Sequence, residues 1–246
     1  MLRQCYRSFS TQYPPTFNRI LVANRGEIAR RVIKTCKKMN IETVAVYSDA
    51  DRHSMHVKEA DFAYRIGPAA SADSYLRMDT ILDVVKDSGA QAVHPGYGFL
   101  SENANFQQLL QANDVTFIGP GTKAIVAMGD KIASKKLARE ANVSTVPGYL
   151  GEIDSTEECV KISRDIGYPV MIKASAGGGG KGMRIAYNDQ EAVEGFKLSK
   201  DEAISSFGDG RIFIEKYIEA PRHIEYQILG DLHGNYVWLP ERECSV

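Results

Sequence analysis

Four consecutive glycines, residues 177–180, have the clearest capacity for chemistry in this sequence, and Lys181 follows them. Glycine runs cost chain entropy and are favoured where several backbone N–H groups converge on an anion, for which phosphate is the obvious candidate. A Walker A loop is excluded, because that pattern needs a hydroxyl residue after its lysine and Gly182 stands there. A flexible linker is the alternative, but apolar segments flank the run on both sides. The sequence therefore predicts a phosphate-binding loop that joins two strands.

Two lysines support this prediction. Lys173 ends an otherwise apolar strand, where an ammonium group is costly unless an anion lies opposite it. The alternative for Lys173 is a side chain that extends to water at the strand edge. Lys131 stands at a predicted helix start, where a basic residue opposes the helix dipole. A bound anion accounts for that placement, and a solvated surface lysine is the alternative.

These residues must be positioned by a chain in which strands alternate with helices from residue 17 onward. Alternation of this kind predicts a parallel, doubly wound α/β sheet covered by helices. The predicted elements of this half are strands 19–23, 43–47, 62–66, 92–94 and 116–118 and helices 28–39, 79–86 and 105–112. Two connecting helices follow, and the order then changes to that of an α+β lobe. Its predicted elements are helices 156–166 and 189–205 and strands 170–175, 183–186, 212–216, 223–229 and 236–242.

The first strand–helix turn, residues 24–28, differs from a dinucleotide-binding turn. Such a turn needs three glycines so that the backbone can approach a pyrophosphate, and this one offers Gly26 alone. Glu27 would also repel phosphate at the helix start. We expect the first domain to be Rossmann-like in shape and to serve as a structural platform.

Composition narrows the class of protein further. The 246 residues carry 30 basic and 31 acidic side chains, and the formal charge of −1 supplies no general field for nucleic acid or anionic lipid. The apolar stretches are about five residues long, far below the ~20 that a membrane helix needs. We therefore expect neither a nucleic-acid partner nor a membrane partner. Four cysteines without a CxxC pair suggest neither a disulfide framework nor a zinc site.

The first 16 residues are typical of a mitochondrial transit peptide. No acidic residue precedes Glu27, whereas Arg3 and Arg7 lie among hydroxyl residues. Apolar side chains share one helical face opposite these arginines, namely those of Leu2, Cys5, Tyr6 and Phe9. An uncleaved tail of chance composition is the alternative. We expect a transit-like segment over residues 1–16 and localisation in the mitochondrial matrix.

Five colinear motifs resemble the biotin carboxylase module of biotin-dependent carboxylases, an ATP-grasp enzyme. They are LVANRGEIA (21–29), HPGYGFLSEN (94–103), MGDK (128–131), MIKASAGGGGKGMR (171–184) and PRHIE (221–225). The resemblance implies a Rossmann-like domain that precedes an incomplete ATP-grasp domain. Its expected parts are the N-terminal domain (17–121), connector helices (122–144), a lid with the glycine loop (145–217) and the start of the C-terminal lobe (218–246).

The resemblance also implies roles for individual residues. Lys131 and Lys173 would bind ATP phosphates, and Gly179 and Gly180 would belong to a mobile lid. Met183 would pack near the base. The adenine-reading segment would consist of Glu215, Lys216, Tyr217 and Ile218, with His223 near the nucleotide and with Tyr97 and Glu102 lining the catalytic pocket. From the residues alone, an ordinary amphipathic strand over 215–218 and a structural histidine at 223 are the alternatives.

In this family, ATP and bicarbonate carboxylate biotin on a carrier domain, which gives carboxybiotin, ADP and phosphate with the help of Mg²⁺ or Mn²⁺. The resemblance places the metal ligands and the main catalytic residues beyond residue 246, so we expect no metal ligand and no catalytic residue within the chain. We also expect that this polypeptide alone shows no bicarbonate-dependent ATP hydrolysis. The alternatives are a non-catalytic ATP-binding or dimerisation module and another ATP-grasp ligase, such as a carbamoyl-phosphate synthetase half.

Within the family, TCKKM (35–39), SSFGD (205–209) and ERECS (241–245) most resemble the propionyl-CoA carboxylase alpha subunits. VYS (46–48) and SMHV (54–57) resemble the methylcrotonoyl-CoA carboxylase subfamily more closely. The resemblance implies a carboxyltransferase beta subunit as partner and a possible homodimer of biotin carboxylase modules. The acyl-CoA substrate cannot be read from this module, because the carboxyltransferase partner selects it.

Overall fold

The computed structural model describes residues 16–149, 151–175, 182–231 and 233–245. The chain divides into two compact units, Met1–Gly129 and Asp130–Val246. The predicted transit-like segment lies outside the described residues, apart from Thr16. Within the described residues, no helix combines the length and the apolar character needed to cross a membrane.

The first unit is built on a five-stranded parallel sheet with the strand order β3-β2-β1-β4-β5. This finding confirms the predicted parallel α/β fold. The strands are β1 (Arg19–Val22), β2 (Glu42–Ser48), β3 (Phe62–Gly67), β4 (Ala92–His94) and β5 (Thr116–Phe117). The helices are α1 (Gly26–Lys38), α2 (Met55–Glu59), α3 (Met78–Ser88), α4 (Ala104–Gln111) and α5 (Thr122–Gly129). At five residues, α2 is too short to show helical periodicity, which explains why the sequence pattern missed it.

The core of this unit forms because its central strands are apolar on both faces. Leu21, Val44 and Val93 come from three adjacent strands and are completely buried. Such continuous apolar runs are typical of parallel strands that helices cover on both sides. Helix α1 is amphipathic and buries Ala29, Ile33 and Cys36 while its charged residues face water.

An ion pair between two side chains of the protein occupies the first strand–helix turn. Arg25 precedes α1 and donates from Nε to Asp51 Oδ2 at 2.7 Å, with a second hydrogen bond from its Nη2 to Asp51 Oδ1. The Tyr75 hydroxyl donates to the same carboxylate at 2.8 Å. Asp51 is buried, and the hydrogen bond from Arg25 holds the pKa of its carboxyl well below the usual range. This arrangement fastens the turn to the end of β2.

The second unit contains a three-stranded antiparallel sheet with the order β7-β6-β8. Its strands are β6 (Val170–Ala174), β7 (Met183–Ala186) and β8 (Ile212–Lys216), and its helices are α6 (Lys131–Glu140), α7 (Thr156–Ile166) and α8 (Asp189–Phe207). The core includes Ile172, Ile212 and Ile214 from the sheet and Cys159 from α7. The predicted strand-to-strand connection through the glycine loop is confirmed, because β6 and β7 pair with each other, while residues 176–181 lie outside the described residues.

The sequence predicts two long strands over 223–229 and 236–242, and this prediction is wrong. Instead, β9 (Ile224–Glu225) pairs with β12 (Arg242–Glu243), and β10 (Ile228–Gly230) pairs with β11 (Tyr236–Trp238). The alternating pattern there has no buried face to enforce one continuous register, since β10 and β11 are exposed throughout. Pro240 also lacks the N–H that a continuing ladder would need.

Candidate functional site

Three lysines of the second unit surround one buried carboxylate. We call Lys131, Lys135 and Lys173, together with Glu215, the lysine cluster. Lys135 Nζ lies 2.7 Å from Glu215 Oε2, and Lys173 Nζ hydrogen-bonds to Glu215 Oε1. The side chain of Glu215 is only 10% exposed, so this carboxylate is held between the two ammonium groups away from bulk water.

Secondary structure determines how these four residues meet. Lys131 and Lys135 are four residues apart on α6 and therefore share one helix face. Strand β6 pairs Lys173 with Phe213 of β8, which places Glu215 diagonally across from Lys173 on the same sheet face. Helix α6 itself begins at an Asp130 cap, whose Oδ1 accepts hydrogen bonds from the N–H groups of Ile132 and Ala133. Helix and sheet thus bring the cluster together without contributions from a long loop.

Lys131 reaches the carboxyl end of β6. Its Nζ donates to the carbonyl oxygens of Ala174 at 3.4 Å and Ser175 at 3.3 Å, directly before residues 176–181 of the glycine loop. Burial lowers the pKa of Lys131, and the neighbouring charge of Lys173 lowers it further. Both effects penalise the charged ammonium and outweigh the opposing effect of Asp130 and Glu215, so an incoming anion would offset them.

The cluster has an excess of positive charge. Burial raises the pKa of the Glu215 carboxyl, but hydrogen bonds from Lys135 and Lys173 outweigh it and hold the pKa below its usual value. Glu215 is therefore ionised at neutral pH. Lys135 and Lys173 thus share a single carboxylate that neutralises only one of them, and this half-buried site suits an anion such as a polyphosphate.

A neighbouring ion-pair network joins the start of α6 to the residues before β8. Asp130 Oδ2 accepts a hydrogen bond from Arg211 Nη1 at 2.8 Å, and Arg211 also binds Asp209 at 2.7 Å. Asp130 is thus engaged by an arginine and by the start of α6. Sequence reasoning missed this network, and it missed Lys135 as well. Helical spacing could have revealed Lys135, because it lies one turn after Lys131.

The predicted adenine-reading segment begins with Glu215 and continues past the end of β8 to Ile218. The Lys216 ammonium donates to the carbonyl oxygens of Gly167 at 2.9 Å and Tyr168 at 2.8 Å. The backbone N–H of Lys216 donates to Pro147 O, and that of Tyr217 donates to Pro169 O. Ile218 is exposed. These bonds fasten the segment to the loops that precede α7 and β6.

The other site residues predicted in this unit are Met183, His223, Gly179 and Gly180. Met183 begins β7 directly opposite Lys173, so it lies beside the lysine cluster on the sheet. His223 lies just before β9 and is exposed, with its Nε2 3.4 Å from Glu225 Oε1. Gly179 and Gly180 lie outside the described residues.

Tyr97 and Glu102 belong to the first unit, in the loop after β4. Tyr97 is exposed, and its hydroxyl accepts a hydrogen bond from Arg31 Nη2 at 3.1 Å. Glu102 is exposed in the same loop. The buried Asn24 side chain holds the loop by donating to the carbonyl oxygens of Pro95 and Tyr97, both at 2.8 Å. The loop therefore stands at the carboxyl end of a parallel strand, where open α/β sheets place their sites.

Comparison with known families agrees with this architecture. Residues 16–125 match the family described as "Biotin carboxylase, N-terminal domain", and residues 130–246 match "Carbamoyl-phosphate synthase L chain, ATP binding domain". The two matches follow one another along nearly the whole described chain. The chain therefore carries a biotin carboxylase N-terminal domain followed by an ATP-binding domain, which confirms the resemblance found in the sequence.

Individual relatives are similar over most of this chain. The mitochondrial propionyl-CoA carboxylase alpha chain of Mus musculus is 63% identical over 240 residues, which cover 96% of this chain and 33% of that protein. One similar solved structure is the biotin carboxylase domain dimer of the 2-oxoglutarate carboxylase from Hydrogenobacter thermophilus, in complex with MgADP, ADP and bicarbonate. Its TM-score is 0.88 and its sequence identity is 50%, and the match covers 94% of this chain and 51% of that one. A biotin carboxylase complex with a β,γ-ATP ligand from Campylobacter jejuni has a TM-score of 0.89 and 42% identity, covering 93% of this chain and 51% of that one. The chain thus spans about a third of the curated relative's length.

Proposed function

We propose that the second unit binds the phosphates of ATP through the lysine cluster. The observation that carries this proposal is that Lys135 and Lys173 share the one carboxylate of Glu215, while Lys131 reaches the carbonyl groups that lead into the glycine loop. In this proposal Lys131 and Lys173 contact the phosphates, and the backbone of Gly179 and Gly180 closes over them. Lys135 keeps its bond to Glu215 and so preserves the geometry of the cluster when Lys173 turns to the nucleotide.

The base of the nucleotide would lie along the sheet edge beside this cluster. Met183 stands opposite Lys173 and would pack against the adenine ring. The segment of residues 215–218 would read the adenine, and the bonds that fasten Lys216 and Tyr217 would keep its backbone fixed for that purpose. His223 would approach the nucleotide from the start of β9.

The metal implied by the family, Mg²⁺ or Mn²⁺, would neutralise charge on the phosphates during phosphoryl transfer. Among the described residues, the carboxylates at the lysine cluster do not fit a metal site of their own. Both oxygens of Glu215 are engaged by lysines, and Asp130 is engaged by Arg211 and by backbone N–H groups. The protein residues at this position therefore serve the phosphates rather than the metal.

The activity we propose is the ATP-dependent carboxylation of carrier-bound biotin with bicarbonate, within a propionyl-CoA carboxylase. The motifs of the sequence and the 63% identity to the Mus musculus alpha chain support this substrate class. Tyr97 and Glu102 would line the catalytic pocket. The domain division would be that given by the sequence, with a platform over 17–121, a connector over 122–144, a lid over 145–217 and a lobe beginning at 218.

The proposed partners follow from the same relatives. A carboxyltransferase beta subunit would receive the carboxyl group, and two biotin carboxylase modules would form a homodimer, as in the Hydrogenobacter thermophilus structure. The mitochondrial name of the Mus musculus relative and the arginine-bearing first 16 residues support delivery to the mitochondrial matrix.

The decisive experiment measures ADP release by protein expressed from the whole gene. We expect release to require bicarbonate and to rise with biotin, and we expect Lys173→Met to abolish it. Lys136→Met is the matched control, because Lys136 is exposed on the same helix as Lys131 and should leave the rate unchanged. Stimulation by ammonia in place of biotin would assign the chain to a carbamoyl-phosphate synthetase and refute the proposal.

A further inference from the structure

Three side chains of different metal-binding types meet on the β9–β12 strand pair. His223, Glu225 and Cys244 each offer one ligand atom, and these atoms all lie within 4.8 Å of one another. His223 and Cys244 are exposed and Glu225 is half-buried, so an ion can reach them from water. In the sequence the cysteine stands about twenty residues from the other two, which explains why spacing alone suggested no site.

The strand pairing fixes these side chains on one face. His223 and Glu225 are two residues apart in an extended segment, so both point to the same side. The register pairs Arg242 with Glu225, and the Cys244 N–H donates to His223 O at 2.8 Å. Cys244 therefore stands directly opposite His223, where antiparallel partners bring their Cβ atoms about 4.5–5.5 Å apart. Backbone pairing thus holds the three ligands together at little entropic cost.

Arg242 positions the carboxylate without blocking it. Its Nη2 binds Glu225 Oε2 at 2.9 Å, which leaves Oε1 on the side of His223 Nε2, 3.4 Å away. An arginine bond to one oxygen of a ligating carboxylate is a common way to orient the other oxygen toward a metal. The cluster therefore has an orienting partner as well as three ligands.

We propose that His223, Glu225 and Cys244 form a binding site for Zn²⁺ or a similar thiol-binding divalent cation. An imidazole nitrogen, a carboxylate oxygen and a thiolate sulfur form a ligand set that suits Zn²⁺, with water completing four-coordination. Bonds of about 2.0–2.3 Å place tetrahedral ligands roughly 3.3–3.8 Å apart, so small side-chain rotations suffice from the observed separations. Binding would release the thiol proton of Cys244 to solvent as its sulfur coordinates the ion.

This site shares no residue with the lysine cluster. Of its three ligands, His223 alone also belongs to the proposed nucleotide site. Metal binding can be measured without ATP, so it can succeed or fail independently of the proposed carboxylase activity.

The test is a titration of the purified, reduced protein with Co²⁺, which reports on thiolate ligation by its colour. We expect a thiolate-to-Co²⁺ charge-transfer band that equimolar Zn²⁺ removes, and we expect Cys244→Ser to abolish that band. For Glu225→Gln, we expect Zn²⁺ affinity to fall by at least about tenfold, because even outer partners of metal ligands contribute about 10–100-fold.

The matched control is Glu243→Gln. Glu243 is the strand neighbour of Cys244, pairs with Ile224 and binds Arg222, so it belongs to the other face of the strand pair. This variant should keep both the band and the affinity. Circular dichroism verifies that each variant remains folded, and Glu225→Gln provides the test if Cys244→Ser does not fold. Absence of the band in the unmodified protein, or its persistence in Cys244→Ser, would overturn the proposal.

Discussion

Replacing Glu215 with glutamine should destabilise the protein while it strengthens binding of triphosphate. The substitution keeps the shape of the side chain and removes the charge that Lys135 and Lys173 share. Loss of one partner from a buried ion pair costs about 3–5 kcal/mol. The glutamine carbonyl still accepts one hydrogen bond, and the lysine side chains are 14% and 23% exposed, so water compensates in part. We therefore expect a net loss of about 2 kcal/mol in the free energy of unfolding.

The loss in the free energy of unfolding should become smaller as the pH falls. The pKa of the Glu215 carboxyl in the folded protein lies below its ordinary value of 4.5. A lowered folded-state pKa means that the carboxylate contributes stability above that ordinary value and loses it as the pH falls through the folded-state pKa. Wild type and Glu215→Gln should thus differ fully at pH 7 and converge in acid.

Urea denaturation followed by far-ultraviolet circular dichroism measures this difference. Glu219→Gln is the control, because Glu219 is exposed just beyond the same strand and should leave stability unchanged. In calorimetry, inorganic triphosphate should bind Glu215→Gln about tenfold more tightly, which corresponds to about 1.4 kcal/mol, because Lys173 no longer pairs with an internal carboxylate. Unchanged stability at pH 7, or weaker triphosphate binding by the variant, would refute this account of the lysine cluster.

Two further predictions concern other parts of the fold. Asp51→Asn should lower the free energy of unfolding by about 2–3 kcal/mol at pH 7, because the buried carboxylate binds Arg25 through two hydrogen bonds. The pKa of this carboxyl is lowered in the folded protein, so urea denaturation should show the difference shrinking as the pH falls from 3.8 toward the folded-state pKa. Iodoacetamide labelling followed by peptide mass analysis should modify Cys244 in the native protein and spare Cys36 and Cys159, which are buried, with burial raising the pKa of Cys159 to about 11. Rapid native labelling of Cys159 would contradict the packing of the second core.

Much of the fold could be predicted because its strands are apolar and its helices amphipathic. Strands 92–94 and 212–216 and helix 156–166 have the predicted bounds, since each buries a continuous face of the core. The last strands were mispredicted because they bury little, so alternation alone did not determine where pairing begins and ends.

The candidate site was predictable to a smaller extent. The sequence identified Lys173 from its cost at the end of an apolar strand and Lys131 from its place at a helix start. It could not show that Glu215 provides the internal anion opposite Lys173, or that Lys135 shares that carboxylate, because these contacts join a helix and two strands that are far apart along the chain. Long-range pairing likewise brings Cys244 to His223.

The central claim is that the lysine cluster binds the phosphates of ATP, and calorimetric titration with ATP tests it most directly. We expect Lys173→Met to weaken binding by about 10–100-fold, since a hydrogen bond to a charged group contributes about 1.5–3 kcal/mol. The exposed control Lys136→Met should bind ATP as the unmodified protein does. Equal affinities for all three proteins, or an equal loss in both variants, would contradict the claim.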